Sequence, residues 1–412
     1  MRVLVTDGNE RSALAITRAL GQQSIDVVVG AETERSLAAA SKYCWRAFSY
    51  PSPFQDSPGF VASILDAVRR FQVTAVFPAS DAAMSLIAQQ WQKFAAHTKL
   101  PIPAADAFES LSNKYSLMQL AVALGIPVPE TVFVPDGRFE GQLRIPPNFP
   151  VVVKSGHSIV NADGRLRKTG VHYAAGEAEL ARLYATIDYL RQPSLIQRRV
   201  EGEGQGVFAL MNKGQPVALF AHRRLREKPP SGGVSVLRES IALPQPTTQY
   251  ALRLLQHVGW HGVAMVEFKV DRHTGVPILM EVNGRFWGSL QLALDAGLNF
   301  PLLLYRMACG AEVNVSDYKI GVKSRWLIGD LDHLLLRLFK SDAALSLPPD
   351  SPTKLKTLID FCRFFQKNTR YEVNRLDDPT PFYYELRQYL ACLLNPARQV
   401  TGNLRYGAGR LV

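Results

Sequence analysis

Two glutamates interrupt neighbouring apolar segments of the chain. Glu267 lies within residues 263–270 and Glu281 within residues 276–283, with a short polar stretch between the two segments. Such a pattern predicts a β-hairpin. Because side chains alternate along a strand, Glu281 and Asn283 share a face, and strand pairing brings Glu267 to within a residue or two of them. We therefore expect three oxygen donors to converge at this hairpin.

The chemistry of these donors favours a magnesium site. Clustered carboxylates repel each other unless a cation or a proton lies between them. Magnesium selects hard carboxylate and amide oxygens and completes its octahedron with substrate phosphates. For either glutamate alone, the alternative is the solvated face of a sheet. Arg285 lies two residues beyond Asn283, where its guanidinium can hold a phosphate or a carboxylate through paired hydrogen bonds; a surface arginine is the alternative.

The residues upstream predict a doubly wound α/β domain. Residues 2–5 form an apolar strand, residues 12–20 a helix ended by Gly21, and residues 25–29 a second strand. A further helix and the apolar strand at 73–77 continue this alternation. The turn after the first strand lacks the GxGxxG spacing that lets backbone amides approach a pyrophosphate, so we assign no nicotinamide or flavin there.

Helices and strands then lead to two lysines. A helix that includes Lys114 is predicted to be capped by Ser112 and to end at Gly125. Lys154 ends a strongly β-branched strand. The glycine-rich and polar residues 155–170 predict a flexible loop that acts as a mobile cover.

The order of these features resembles the ATP-grasp superfamily over residues 1 to about 310. In that superfamily, a Rossmann-like domain precedes two lobes that hold ATP between antiparallel sheets. The resemblance implies an α/β chain of three units. The first is an N-terminal Rossmann-like pre-ATP-grasp domain at 1–104, and the second is a two-lobed α+β ATP-grasp module at 105–310, with a small lobe at about 105–198 and a large lobe at about 199–310. The third is an α-rich C-terminal extension of unknown role at 311–412.

The resemblance also implies how ATP would be bound. Two lysines would contact the nucleotide phosphates, and a linker at residues 195–200 would face the adenine. Gln197 would form a hydrogen bond with the adenine amino group. The resemblance does not decide whether Glu201 or Glu203, if either, would bind the ribose. The residues that would bind ATP are Lys114, Lys154, Gln197, Arg199, Val200 and Glu203.

The metal motif resembles that of the superfamily most closely. Its two glutamates and its asparagine would bind Mg²⁺, with Mn²⁺ as an alternative ion, and its arginine would meet the transferred phosphoryl group. These roles carry over to Glu267, Glu281, Asn283 and Arg285.

A basic stretch at residues 221–233 resembles the corresponding part of predicted carboxylate–amine ligases in the superfamily. Arg223 and Arg224 would there recognise the acceptor carboxylate. A solvated hairpin end is the alternative for this stretch.

The implied function is an ATP-dependent ligase. It would activate a carboxylate as an acyl phosphate for attack by an amine or a thiol, and release ADP and phosphate. A bicarbonate-activating carboxylase or a carbamoyl-phosphate-type enzyme is an alternative, but the chain has no Met-Lys-Met biotinyl site and no second ATP-grasp copy. A catalytically silent ATP-binding regulator is disfavoured because the lysines, both glutamates, Asn283 and Arg285 are all retained.

The overall composition is compatible with small anionic ligands. The net charge is +11, but the basic residues are dispersed, so we expect no nucleic acid partner. Asp295 and Arg306 interrupt the longest apolar region, and Asp7 interrupts the N-terminal one, so we expect no transmembrane segment and a cytoplasmic location. The four cysteines lack ligand spacing. The expected partners are a small-molecule carboxylate and an amine, and a homodimer stays open.

Overall fold

The computed structural model of the chain describes residues 1–137, 149–162, 165–345, 347 and 351–394. Helices and sheets alternate through these ranges, which confirms the α/β class. None of the described helices is long and apolar enough to span a bilayer. The predicted boundaries at residues 104 and 310 stay predictions, and the last 18 residues of the predicted C-terminal extension lie outside the described ranges.

The N-terminal domain is built on four parallel strands. Its elements are β1 (Arg2–Val5), α1 (Arg11–Gly21), β2 (Asp26–Ala31), β3 (Cys44–Ser49), α2 (Ser57–Arg70), β4 (Ala75–Phe77), α3 (Asp81–Gln89) and α4 (Trp91–Ala95). The strand order is β3-β2-β1-β4. Val3 and Val5 pack in one core with α1, whereas Leu4 packs in another with α2 and α3, so helices cover both faces of the sheet as predicted.

The next lobe has a four-stranded antiparallel sheet. Its elements are α5 (Ala105–Ser112), α6 (Lys114–Ala123), β5 (Thr131–Val134), β6 (Val151–Ser155), β7 (Ile159–Ala162), β8 (Arg165–Lys168), β9 (Val171–Ala174), α7 (Glu177–Thr186), a 3-10 turn (Asp188–Arg191) and β10 (Ser194–Arg198). The sheet order is β5-β10-β6-β9, and β7 pairs with β8 as a separate hairpin.

Two predictions for this lobe were wrong. Residues 155–170 are not a loop throughout, because β7 and β8 pair there; residues 163 and 164 lie outside the described ranges. The helix cap is not Ser112, which ends α5. The side chain of Asn113 instead accepts hydrogen bonds from the backbone of Tyr115 and Ser116, so Lys114 occupies the first position of α6.

The large lobe and the C-terminal segment share one seven-stranded sheet. The large lobe contains β11 (Gly202–Asn212), β12 (Gln215–Lys228), β13 (Val234–Ile241), α8 (Thr247–His257), β14 (Gly262–Asp271), β15 (Pro277–Asn283), α9 (Leu290–Asp295) and α10 (Phe300–Ala308). The C-terminal segment adds β16 (Lys323–Arg325), α11 (Leu327–Phe339), α12 (Lys354–Cys362), β17 (Thr369–Tyr371) and α13 (Thr380–Leu394). The sheet order is β15-β14-β11-β12-β13-β16-β17.

The C-terminal segment is therefore more than a helical appendage. Its strand β16 pairs antiparallel with β13, and β17 pairs with β16. Its helix α11 packs against β12 and β13. These contacts make the segment an integral part of the large lobe.

The same segment binds the N-terminal domain through a buried arginine. Arg18 of α1 donates to Asp378 Oδ2 at 2.8 Å and to the backbone carbonyls of Glu372, Val373 and Asp378 at 2.9 to 3.0 Å. Arg18 and Asp378 are 4% and 1% exposed. Since a buried charge without its partner is costly, this cluster fixes the first helix to residues about 360 positions away.

We predict that Arg18→Met destabilises the protein by about 3–5 kcal/mol, because it leaves the Asp378 carboxylate buried without its countercharge. The matched control is Arg2→Met, since Arg2 pairs with Asp26 at 3.4 Å and the two side chains are 31% and 42% exposed. That variant should lose less than about 1 kcal/mol. Urea unfolding of both variants measures the difference, and equal shifts would contradict a structural role for the Arg18 cluster.

Candidate active site

The predicted hairpin forms and brings the three oxygen donors together. In the register of β14 and β15, Glu267 lies directly opposite Glu281, and Met265 lies opposite Asn283. Met280 is an extra residue in β15, a bulge beside the glutamates. Asn283 Nδ2 donates to Glu281 Oε1 at 3.0 Å, so the amide oxygen of Asn283 is turned toward other partners.

The two glutamates differ in their electrostatics. Burial raises the pKa of Glu267 to about 7, against the opposing charge of Arg224, and the neighbouring Glu281 raises it further. Burial acts in the same direction on Glu281, but Lys114, the Asn283 hydrogen bond and Lys154 outweigh it and lower that pKa. Two facing, half-buried carboxylates are thus held by surrounding cations.

The donor set fits magnesium. Within the described ranges no group of three or more His, Cys, Asp or Glu side chains could hold a metal ion. The candidate site instead offers two carboxylates and one amide oxygen. Magnesium commonly takes one or two carboxylates and fills its remaining positions with water and substrate phosphates, so this smaller set is sufficient.

Arg224 of β12 reaches Glu267 across β11, which lies between β12 and β14 in the sheet. Its Nη2 pairs with Glu267, while Nη1 donates to Glu227 Oε1 at 2.8 Å and to the carbonyl of Gly233 at 2.9 Å. Gly204 makes room for this arrangement, since a Cβ there would lie 2.9 Å from Arg224 Cδ. Arg224 therefore acts first as a countercharge to Glu267.

The two lysines approach the glutamates from different sides. Lys154 of β6 has no hydrogen bond or ion pair to any described residue, and it lines the same cavity as Glu267 and Glu281. Burial lowers the pKa of Lys154 to about 8, although both glutamates oppose that change. Lys114 Nζ donates to Ser158 Oγ at 2.5 Å and opens to a neighbouring cavity of about 570 Å³, which Glu281 and Asn283 also line.

The cavity of Lys154 has a volume of about 530 Å³. Besides Lys154, three other residues expected to bind ATP line this cavity, namely Gln197, Arg199 and Val200. Gln197 Nε2 donates to Thr131 Oγ1 at 3.0 Å, so the amide oxygen of Gln197 is available to a donor in the cavity. Apolar side chains of Pro129, Val152, Val171 and Met280 line the same cavity. This slot suits the face of an aromatic base.

The structure does not bring two of the predicted residues to the cavity. Glu203 and Arg223 lie on the opposite face of the large sheet, where Arg223 pairs with Glu239 at 2.8 Å and with Glu203 at 3.5 Å. Residues 221–228 belong to β12, so the consecutive Arg223 and Arg224 point to opposite faces. Neither Glu203 nor Arg223 lines the cavity, and Glu201, the other candidate for the ribose, does not line it either.

Several residues of the cavity wall were not found from the sequence. Lys269 lies two residues after Glu267 on the same face of β14, and Glu227 is three residues after Arg224, so local spacing could have found both. Arg11 and Lys228 also line the cavity. No local signal identifies Arg11, because it lies in the N-terminal domain.

Arg285 forms the wall between this cavity and a second one. Its Nε and Nη2 each donate to one carboxylate oxygen of Asp81 at 3.1 Å, and Nη2 lies 3.3 Å from Asn283 Oδ1. The second cavity has a volume of about 260 Å³ and lies at the carboxyl ends of the parallel strands. Its acidic and aromatic lining consists of Asp7, Glu10, Glu32, Asp81, Tyr50 and Phe54.

Comparison with known proteins agrees with this geometry. Residues 191–327 match a family model described as an ATP-grasp in the biosynthetic pathway with Ter operon. The chain has the ATP-grasp fold. The matched residues include β14 and β15, and with them the three oxygen donors Glu267, Glu281 and Asn283.

Solved structures share this fold at low sequence identity. An L-amino acid ligase from Bacillus licheniformis is 16% identical to this chain, with a TM-score of 0.58. The alignment covers 77% of this chain and 75% of the ligase. An N5-carboxyaminoimidazole ribonucleotide synthetase is 14% identical with a TM-score of 0.59, over 82% of this chain and 84% of its own. Pyruvate carboxylase from Rhizobium etli is 18% identical with a TM-score of 0.60, but the 78% of this chain that aligns spans only 30% of that enzyme. No curated protein sequence matches the chain significantly.

The metal motif generates the first prediction for this site. Glu281→Gln keeps the shape of the side chain and removes its charge, so the magnesium-dependent affinity for ATP should fall at least about a hundredfold. Calorimetric titration with and without Mg²⁺ measures this affinity. The matched control is Glu203→Gln, the same change on the opposite face of the sheet, which should bind normally. Equal affinities for the two variants would refute the assignment of Glu281.

The lowered pKa of Lys154 generates a pH prediction. Because the free protein loses this charge above about pH 8, affinity for ATP should fall as the pH rises beyond 8, by up to about tenfold per unit. Lys154→Arg should abolish this loss between pH 8 and 9.5, since arginine stays protonated there. Dissociation constants measured at several pH values test this. The same pH dependence in both proteins would show that Lys154 is not the group responsible.

Proposed function

We propose that the chain is a magnesium-dependent ligase, with Mn²⁺ as an alternative ion, that uses ATP to activate a carboxylate for attack by an amine or a thiol. One observation carries the proposal. A single cavity is lined by Lys154, by the facing Glu267 and Glu281, by Asn283 and by Arg285, and it continues into an apolar slot at Gln197. Together these groups can bind a nucleoside triphosphate, its metal ion and a phosphoryl acceptor at one site.

Each residue of the cavity has a separate role in the proposed binding of ATP and Mg²⁺. Glu267, Glu281 and Asn283 would hold Mg²⁺, which supplies charge neutralisation for the phosphates when bound. Lys154 would contact the phosphates, because no residue of the described ranges pairs with its ammonium. The apolar slot would take the adenine, with the amide oxygen of Gln197 accepting from the adenine amino group.

The proposed reaction has two steps. A carboxylate oxygen of the acid attacks the γ-phosphorus, and the bond between that phosphorus and the bridging oxygen of ADP breaks. Arg285 stabilises the charge on the transferred group, and its hydrogen bonds to Asp81 fix its orientation. The acceptor nitrogen then attacks the acyl carbon, phosphate leaves, and the nitrogen loses a proton.

An amine acceptor is supported by the second cavity. It lies on the other side of Arg285, and four carboxylates line it against two basic side chains, Lys168 and Arg285, so its lining is more acidic than that of the phosphate side. Burial raises the pKa values of Asp7 and Glu10 in this cavity, so these carboxylates accept a proton more readily than exposed ones. An acidic chamber next to the site of activation suits a substrate that enters as an ammonium ion and reacts as an amine.

A bicarbonate-activating enzyme remains the second candidate function. Biotin carboxylase from Campylobacter jejuni resembles the chain in fold, with a TM-score of 0.58 and 14% identity over 78% of this chain and 74% of its own. Fold does not determine the substrate. The cationic acceptor that the acidic cavity favours is the feature that ranks the ligase first.

The prediction for this function uses hydroxylamine. The purified protein, given ATP, Mg²⁺ and a panel of small carboxylic acids, should form a hydroxamate with its preferred acid, in step with ADP and phosphate. Hydroxylamine is a small nucleophile that replaces the natural amine at the acyl carbon, and colorimetric detection of the iron–hydroxamate complex measures the product.

Two outcomes would contradict the ligase. AMP and pyrophosphate as products would mean that the phosphoryl geometry at Glu281 and Arg285 is wrong. ADP release that depends on bicarbonate and gives no hydroxamate with any acid would replace the ligase with the carboxylase-type function.

A further inference from the structure

Most of the charged side chains that line the cavity of Lys154 are basic. Eight basic and three acidic side chains line it. Lys154, Lys269, Arg198 and Arg199 belong to the part of the wall that contains Gln197, and Arg224 and Arg285 lie next to the metal motif. Two basic residues, Arg11 and Lys228, are assigned to neither group.

Arg11 reaches the cavity from the N-terminal domain and is held there firmly. Its Nη1 donates to Glu372 Oε2 at 2.6 Å, and its guanidinium carbon lies 3.9 Å from the ring centroid of Trp326. The other terminal nitrogen, Nη2, has no hydrogen-bond partner within the described ranges. It is turned toward Gly288, because a Cβ added to that glycine would lie 3.2 Å from it. An arginine held on one side and open on the other is prepared to bind an anion.

Lys228 lies beside the same aromatic ring. Its Nζ is 5.4 Å from the ring centroid of Trp326 and pairs with Asp332. The indole nitrogen of Trp326 donates to Glu385 at 2.7 Å, which fixes the ring between its neighbours. A single tryptophan from the C-terminal segment thus positions two cations at one end of the cavity.

The carboxylates around Arg11, Lys228 and Trp326 are buried outside the lining of the cavity. Glu372, Asp332 and Glu385 are each at most 2% exposed, and none of them lines the cavity. The end of the cavity near Gly288 therefore presents Arg11 and Lys228 to a ligand, while the balancing negative charge is buried. Ser235 and Ser289 add hydroxyl groups to the same lining.

We propose that the acid substrate carries a second anionic group, a carboxylate or a phosphate, and that Arg11 and Lys228 bind it. This inference rests on the proposed ligase function. Arg285 and the metal motif supply the charge for the carboxylate that is phosphorylated, so a simple monocarboxylate has no use for two further cations. Gly288, which lies next to Arg11, follows Arg285 by three residues, so the Cα atoms of the two residues are at most about 10 Å apart, and small acids of four to six carbon atoms are suitable probes.

The proposal gives the C-terminal segment a role. Trp326, Asp332 and Glu372 contribute no side chain to the cavity, but they contact the two cations that do. They are positioning residues for the acid subsite. The segment would thus determine which acid is accepted without touching the nucleotide.

The test compares acids that differ only in the second anionic group. Succinate, glutarate and 3-phosphonopropionate are paired with butyrate and valerate in the hydroxamate assay. We expect the acids with a second charge to have kcat/KM values at least about tenfold higher, the effect of one charge-assisted hydrogen bond. Equal values for the two kinds of acid would overturn the proposal.

Variants of Arg11 make the test specific. Arg11→Gln should raise KM for the preferred dianionic acid about tenfold to a hundredfold and leave KM for ATP unchanged. Arg11→Lys should restore part of the loss, because it returns the charge without the paired hydrogen bonds. The matched control is Arg223→Gln, which removes an arginine from the opposite face of the sheet and should change neither constant. If Arg11→Gln does not fold, Gly288→Ala tests the same subsite by crowding the guanidinium.

A binding measurement separates this proposal from the ligase itself. Calorimetric titration of 3-phosphonopropionate and of glutarate into the full chain should show binding that Arg11→Gln abolishes, whether or not any acid is turned over. Binding with no turnover would refute the ligase and keep the anion subsite. Binding that Arg11→Gln leaves intact, or no binding of either probe, would refute the subsite. Tighter binding of the phosphonate or of the dicarboxylate identifies which anion the natural acid carries.

Discussion

The site depends on one constraint, which is that strand pairing forces two half-buried glutamates to face each other. Glu267 and Glu281 are direct partners in the register of β14 and β15. Their repulsion is unfavourable unless positive charge surrounds them. Arg224 pairs with the carboxylate of Glu267, and Asn283 donates a hydrogen bond to that of Glu281. Lys154 of the small lobe lines the same cavity. A divalent cation that bridges to phosphates would complete this neutralisation.

Each part of the fold contributes a different element of that environment. The small lobe brings Lys154 and the apolar slot, and the large lobe brings the paired glutamates. The N-terminal domain adds Asp81, which orients Arg285, and Arg11. The C-terminal segment holds the N-terminal domain against the large lobe through the buried cluster at Arg18. The order of the units along the chain is therefore less important than their convergence on one cavity.

Local patterns in the sequence were enough to predict the hairpin, the sharing of a face by Glu281 and Asn283, and the parallel N-terminal sheet. They failed where strand length decided the outcome. The run of basic residues at 221–233 suggested one acceptor site for Arg223 and Arg224, but residues 221–228 belong to a strand, so these two side chains point to opposite faces, and Glu203 of β11 also faces away from the cavity. Contacts over long sequence separations, such as that of Arg11 with Glu372, leave no local pattern, and they define the acid end of the cavity.

The central claim is that Glu267, Glu281 and Asn283 hold a divalent cation on the phosphates of a nucleotide. Pulsed electron paramagnetic resonance of Mn²⁺ bound to the protein together with ATP tests this claim most directly. We expect phosphorus hyperfine couplings from the nucleotide on a protein-bound Mn²⁺, at one site in the cavity of Lys154. A protein-bound Mn²⁺ without phosphorus couplings, or no ATP-dependent Mn²⁺ binding at all, would contradict it.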